Sequence, residues 1–426
     1  MTANLSAFDI AAILIVLVAA LSYLNHRFLK LQPTIGLVVM GALASTVVVA
    51  IDWAAPGSHV AATLLAFLEK VDFRRTLLNG MLSFLLFAGS LHVDLSHVRL
   101  NKWPIGVLST VGVLVSTVIV GVGLKGIAAV AGLDVPIMWC LVFGALISPT
   151  DPVAVLAILK TAKAPVSVEA TVAGESLFND GVGVVVFTIL LAAASGAGDV
   201  TALDGARMFA VEALGGATFG LVIGWIAFLA MKSIDDPNVE VLLSLAVVMG
   251  GAALAQALGV SGPIAMVSAG LLIGNHGVTH AMSDKVQDYM LKFWTLIDEI
   301  LNAVLFLLVG LESAALLRDG HLVLVGLATI PLVLIARAIS VGAPLVFWGK
   351  RLPYGVAFPV LTWGGLRGGL SIAMALSLPD GSLKPLLLTT TYVVVLFSVV
   401  VQGSTIGAVV KRLDARTARK AAAKPG

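Results

Sequence analysis

The sequence is poor in charge. Asp, Glu, Lys and Arg make up 12% of its 426 residues, where a soluble domain carries about 25%. A chain this short of charge cannot wet most of its surface, which excludes an ordinary soluble domain. Cysteine is nearly absent. Cys140 stands alone, so no intramolecular disulfide can form and no cysteine-based metal spacing exists. The net charge is only +2, and no basic run is interleaved with aromatics, so nucleic acid is not an expected partner. No phosphate-binding loop followed by Lys-Ser/Thr occurs, and any transport must be driven by a gradient rather than by ATP. The first cation, Arg27, follows the first apolar run, so the start does not read as a cleavable signal.

What the chain has instead is apolar length. Hydrophobic residues make up 59% and the mean hydropathy is +1.05. They gather into stretches of about 20 residues, the length of a helix that crosses a bilayer. Thirteen such segments are expected, at roughly 7–25, 34–51, 74–91, 104–131, 136–159, 167–195, 205–232, 238–258, 261–275, 289–315, 320–349, 353–379 and 384–410. The stretch 61–70 ends in Glu69–Lys70 and is too short to cross, so it reads as a surface helix. Lys and Arg concentrate in alternate loops, among them Arg27, Lys30, Arg99, Lys102, Lys160, Lys163, Lys350 and Arg351, and again in the tail after 410. The positive-inside rule then places the N-terminus outside and the C-terminus in the cytoplasm of a multi-pass cell-membrane protein, with a bacterial inner membrane expected.

Two segments break their own pattern. ISPTDPVAVLAIL (147–159) sets Asp151 between Pro149 and Pro152, and each proline removes a backbone donor and clashes with the preceding turn. TWGGLRGGLS (362–371) surrounds Arg367 with four glycines. Asp151, Arg367 and Asp180 all fall near the middle of their segments, and the two broken segments cross in opposite directions. Interrupted, inversely oriented helices with ionisable groups at the midplane are the mark of an inverted-repeat transporter. The expected fold is therefore an all-α polytopic membrane protein with about 13 transmembrane helices and breaks in the fifth and twelfth.

The sixth segment carries GESLFNDGVGVVVF (174–187). On a helix Glu175 and Asn179 are four apart, as are Ser176 and Asp180, so two polar ridges share one face. Carboxylate, hydroxyl and amide oxygens suit a small hard cation, and Thr150 with the carbonyls freed beside Pro152 could complete its shell. A midplane carboxylate is expensive and functional by default, which singles out Asp180 and Asp151. Arg367 stays charged at almost any depth, so it needs a fixed acceptor and makes a poor proton carrier. Arg337, in LIARAISV, reads as an inter-helix ion pair with Asp298–Glu299. His92 reads as an interfacial histidine, and His276 and His280, four apart with no third ligand evident, do not read as a metal site. VSGP and GNHG read as turns.

TDP in the fifth segment, ESxxND in the sixth and GGLRGGLS in the twelfth together resemble the sodium/proton antiporters of the NhaP/NHE kind, over essentially the whole chain. The resemblance implies a secondary transporter exchanging Na⁺, or Li⁺ or K⁺, for H⁺. It makes Asp180 the main cation and proton site, with Thr150, Asp151 and Ser176 helping to hold Na⁺, and it has Arg367 hold Glu175 and Asn179. It also implies a homodimer, with 104–199 and 320–410 as the mobile ion-carrying domain. The dimerisation part would be 1–103 and 200–319, followed by a short tail at 411–426. No resident cofactor and no enzymatic activity are expected. Many relatives carry a glutamate in the third segment where this chain has Ala88, so cation choice does not carry over. Asn179 stands before Asp180 where electrogenic relatives have a second aspartate, and the tenth segment has no central lysine, so electroneutral 1:1 exchange is expected. The other readings are an organic-anion symporter on a related fold and an intramembrane aspartyl protease with Asp151 and Asp180 as its dyad. The first would need a roomier site with donors for the solute, the second little around the dyad.

Overall fold

The computed structural model describes residues 7–54, 80–152, 155–156, 159, 165–196, 202–277, 282–316, 319–348 and 352–422. The stretch 61–70, the loop cations Lys160, Lys163, Lys350 and Arg351, and His280 lie outside the described residues. The helices, in chain order, are α1 Ala7–Leu24, α2 Pro33–Ala54, α3 Leu82–Leu91, α4 Leu95–Leu100, α5 Lys102–Ser109, α6 Val111–Val130, α7 Ile137–Ile147, α8 Val166–Ala194 and α9 Ala202–Lys232. They continue as α10 Pro237–Leu258, α11 Gly262–Leu272, α12 Asp284–Leu316, α13 Gly320–Trp348, α14 Tyr354–Trp363, α15 Gly369–Leu376, α16 Lys384–Phe397 and α17 Gly403–Ala422. Among the described residues there is no strand, only one isolated bridge between Asp151 and Leu366. The fold is all-α. Each expected segment contains helix where it is described, and among the described residues eight stretches are long and apolar enough to cross a bilayer, while α2, α3 and α7 contribute shorter apolar runs.

Local chemistry explains the ends. Asp236 caps α10 by accepting from the Asn238 and Val239 amides, with Pro237 in the first turn, and Gly259 closes the helix in the left-handed region at φ 68°. Ser261 caps α11 in the same way. GNHG is not the simple turn expected. It lies in the wider turn Ile273–Gly277 that extends α11. There Asn275 accepts from the Leu95 amide at 2.7 Å and donates to the Val93 and Leu271 carbonyls at 2.9 Å. α17 runs through the expected start of the tail to Ala422.

Two of the four buried clusters share one helix. One joins α2, α6, α7, α8, α13, α15 and α16 with the C-terminal half of α12. The other joins α3, α9, α10 and α11 with the N-terminal half of α12, around Trp294, whose Nε1 donates to Ser244 Oγ at 3.0 Å. α12 is thus common to both. It meets α2 at small residues: a Cβ on Gly41 would lie 2.9 Å from the Leu307 carbonyl and one on Gly310 2.5 Å from that of Val38. Close backbone approach at glycine is how helices associate where lipid offers no hydrophobic contrast.

Candidate functional site

α7 stops at Ile147 because Pro149 and Pro152 cannot continue it. The chain then leaves the helix and reaches Asp151, whose amide donates to the Leu366 carbonyl at 2.8 Å. Leu366 lies in the second break, between the end of α14 at Trp363 and the start of α15 at Gly369. The two interruptions therefore meet backbone to backbone in the interior. Gly368 is required by this meeting, since a Cβ there would collide with the Asp151 carboxylate, and a Cβ on Gly365 would collide with the Arg337 guanidinium.

Each half-helix that ends in a break has its loose carbonyls taken up by an arginine. Arg367 donates through Nη1 to the carbonyls of Ser148 and Pro149, the latter at 3.0 Å, just past the end of α7. Arg337 donates through Nε to the Leu361 carbonyl at 3.1 Å, near the end of α14. Both place a cation at the negative end of a helix dipole. The second break is further fixed by the Arg367 amide donating to Ser398 Oγ at 2.8 Å, by Ser398 donating to Gln402 at 2.8 Å, and by Gln402 Nε2 donating to the Trp363 carbonyl at 3.1 Å.

α8 crosses beside these breaks, with Gly183 against the Pro149 ring. Glu175, Ser176 and Asn179 are at most 2% exposed, and they hold the unwound strand. Ser176 Oγ donates to the Thr150 carbonyl. Asn179 Nδ2 donates to Thr150 Oγ1 at 2.8 Å and to Glu175 Oε1 at 2.9 Å, while its Oδ1 accepts from the Thr150 amide at 3.3 Å.

Here the expected pairing is overturned. Glu175 is not held by Arg367. It takes a bidentate pair from Arg337, with Nη1 and Nη2 each at 2.8 Å from its two oxygens. The same contact removes the expected Arg337 pair with Asp298–Glu299. The reason is geometric: α13 packs on α14 and brings Arg337 over Gly365 beside α8, whereas Arg367 gives its Nη1 to the Ser148 and Pro149 carbonyls past the end of α7. A planar fork matching a carboxylate is the strong form of such a contact.

The sequence-derived residues therefore separate into two sets. Thr150, Ser176, Asn179 and Glu175 form one hydrogen-bonded network. Asp151 and Asp180 lie beside it, both half-buried, and their charges act on each other. Among the described residues no side chain donates to the Asp180 carboxylate. Ser148, Ser398 and Gln402 were missed by sequence reasoning. Ser148 and Gln402 each stand next to a helix breaker, Pro149 and Gly403, while Ser398 carries no such signal.

A family model described as sodium/hydrogen exchanger, transmembrane, matches residues 13–412. The chain belongs to the sodium/hydrogen exchanger family. The resemblance drawn from TDP, ESxxND and GGLRGGLS is thus borne out. Among exchangers, the chain is similar to the Na⁺/H⁺ antiporter NhaP of Pseudomonas aeruginosa, at 47% identity over 414 residues, covering 96% of this chain and 97% of that one. It is also similar to NhaH of Halobacillus dabanensis, at 36% over 346 residues, covering 80% and 84%. The fold matches that of the sodium proton antiporter MjNhaP1 from Methanocaldococcus jannaschii, with a TM-score of 0.73 at 20% identity over 96% of this chain and 98% of that one. At the exchanger's third segment, Ala88 is buried on α3, and its carbonyl lies 2.8 Å from His92 Nδ1. His92 Nε2 meets Thr295 Oγ1 at 3.0 Å, so this histidine ties α3 to α12.

Proposed function

We propose that this exchanger moves Na⁺ against H⁺ by alternating access, with Asp180 as the exchanging carboxylate. The observation that carries the reading is the contrast on α8: Glu175 is saturated by Arg337 and Asn179, while Asp180, five residues on, has no donor among the described residues. A desolvated carboxylate is costly to leave bare. Either a proton or a cation relieves that cost, and each excludes the other, so alternating exposure of one site yields exchange. Asp151, Thr150 and Ser176 supply further oxygens from the break, of the kind that replace a hard cation's water. Glu175, Asn179, Arg337 and Arg367 hold the scaffold. Family membership and the antiporter relatives favour this over the symporter and protease readings.

The finer reading is electroneutral 1:1 exchange by a homodimer. It would sit in a bacterial inner membrane, N-terminus outside and C-terminus in the cytoplasm, needing no resident cofactor. Residues 104–199 and 320–410 would move against 1–103 and 200–319. The test is proteoliposomes carrying a trapped pH dye. Adding Na⁺ outside should drive protons out of vesicles loaded with the purified protein, and the absence of any Na⁺-, Li⁺- or K⁺-driven proton flux would overturn the reading. The same experiment ranks the cations.

A further inference from the structure

With Arg337 committed to Glu175, Asp298 loses the role the sequence suggested for it. It is half-buried on α12, makes no ion pair among the described residues, and shares a hydrogen bond with Asn302 one turn on, itself 5% exposed. Another turn along the same face stands Phe306. Phe306 lines a small cavity together with Thr34, Asp151, Leu366 and Arg367, and the Thr34 hydroxyl there is buried without a partner. The residue before it on α12, Leu305, packs over Gly369 at the start of α15. One polar ridge, Asp298–Asn302, thus leads along α12 to the cavity that reaches Asp151. The Asp151 and Asp298 charges are near enough to act on each other. Thr34 stands at the first turn of α2 and Asp298 in the N-terminal half of α12, so the ridge opens toward the end of the bundle where those two helices begin.

We propose that Asp298 is the approach carboxylate of the pathway, concentrating cations from the aqueous side on which α2 and α12 begin and passing them by way of Asn302 and Thr34 to Asp151. It does not bind the ion in the occluded state. A fixed negative charge at a cleft mouth acts on capture, and its effect falls as salt shortens the screening length from about 30 Å at 0.01 M to about 10 Å at 0.1 M. The inference rests on the exchange reading.

The experiment compares Na⁺-driven proton flux in oriented proteoliposomes at about 0.01 M and about 0.3 M ionic strength, adjusted with choline chloride. Asp298→Asn keeps a partner for Asn302 but removes the charge. It should raise the KM for Na⁺ about threefold to tenfold at low salt, from one side only, with kcat within about twofold and the difference shrinking at high salt. Asp298→Glu should stay near wild type. The double variant Asp298→Asn with Asn302→Asp moves the charge one turn inward and should recover the low-salt KM, which a merely structural role would not allow. If Asp298→Asn folds poorly, Asp298→Ser supplies the neutral variant. An unchanged KM, a rise independent of salt, or a failure of the relocated charge to rescue would overturn the proposal. Wild-type protein without Na⁺-driven flux would instead overturn the exchange reading itself.

Discussion

Glu175 and Asp180 lie on one helix, five residues apart, and meet opposite fates. Glu175 is 2% exposed and receives three donors, two from Arg337 and one from Asn179. Asp180 is less buried yet receives none among the described residues. The difference teaches that depth in the membrane does not make a carboxylate a carrier. A carboxylate whose lone pairs are already filled by a fixed cation has nothing to gain from Na⁺ or from a proton. One left unfilled beside a frame of oxygens has much to gain.

The comparison breaks most completely at Asp180. Asp180→Asn should reduce exchange in proteoliposomes to background while the protein purifies and melts as wild type does, since no side-chain donor among the described residues is lost. Near-normal flux in that variant would move the carrier elsewhere. Next in size is Arg337→Ala, which strands Glu175 and should cost about 3–5 kcal/mol, as for other broken buried pairs. The sign is checked by thermal melting in detergent, and Arg337→Met combined with Glu175→Leu should recover most of the loss. An unchanged melting temperature in Arg337→Ala would mean that Glu175 is not held as described.

Arg367→Ala should cost less, about 1.5–3 kcal/mol for charge-assisted bonds to the two carbonyls past α7. No carboxylate is stranded in that variant. The comparison inverts if Arg367→Ala melts lower than Arg337→Ala. The smallest expected effect is none at all. With voltage set by valinomycin and a K⁺ gradient, the null point of Na⁺-driven proton flux should not move, because one carrier trading one Na⁺ for one H⁺ transfers no net charge. A null point that follows the voltage would show that a second group, with Asp151 the nearest, also carries a proton.

Much of the fold was legible because bilayer thickness dictates segment length, and both breaks were legible because proline and clustered glycine cannot sit quietly in a crossing helix. Glu175, Ser176, Asn179 and Asp180 were legible from spacing on one face, and Thr150 and Asp151 from the proline break. The arginines were not. A sequence gives depth along the membrane normal, and Arg337 and Arg367 lie at comparable depths. It does not give which helices are neighbours, and that alone decided that Arg337 reaches α8 while Arg367 turns to the end of α7. The path along α12 was hidden for the same reason: Asp298 and Asp151 are far apart in the chain and meet only through the packing of α12 on the breaks.

The contact that joins the two breaks, the Asp151 amide on the Leu366 carbonyl, is made of main-chain atoms alone. Side-chain scanning at 151 and 366 is therefore blind to it, because every substitution short of proline at 151 leaves the donor and acceptor in place, whereas a side chain at Gly368 would push the two strands apart. The joint is indifferent to side-chain identity at 366 yet intolerant of any change in chain length on either side, since one inserted residue would slide amide past carbonyl. Point variation can thus reshape the ion's surroundings while the fastening beneath persists. Only replacement of the residue-151 amide by an ester would loosen it directly.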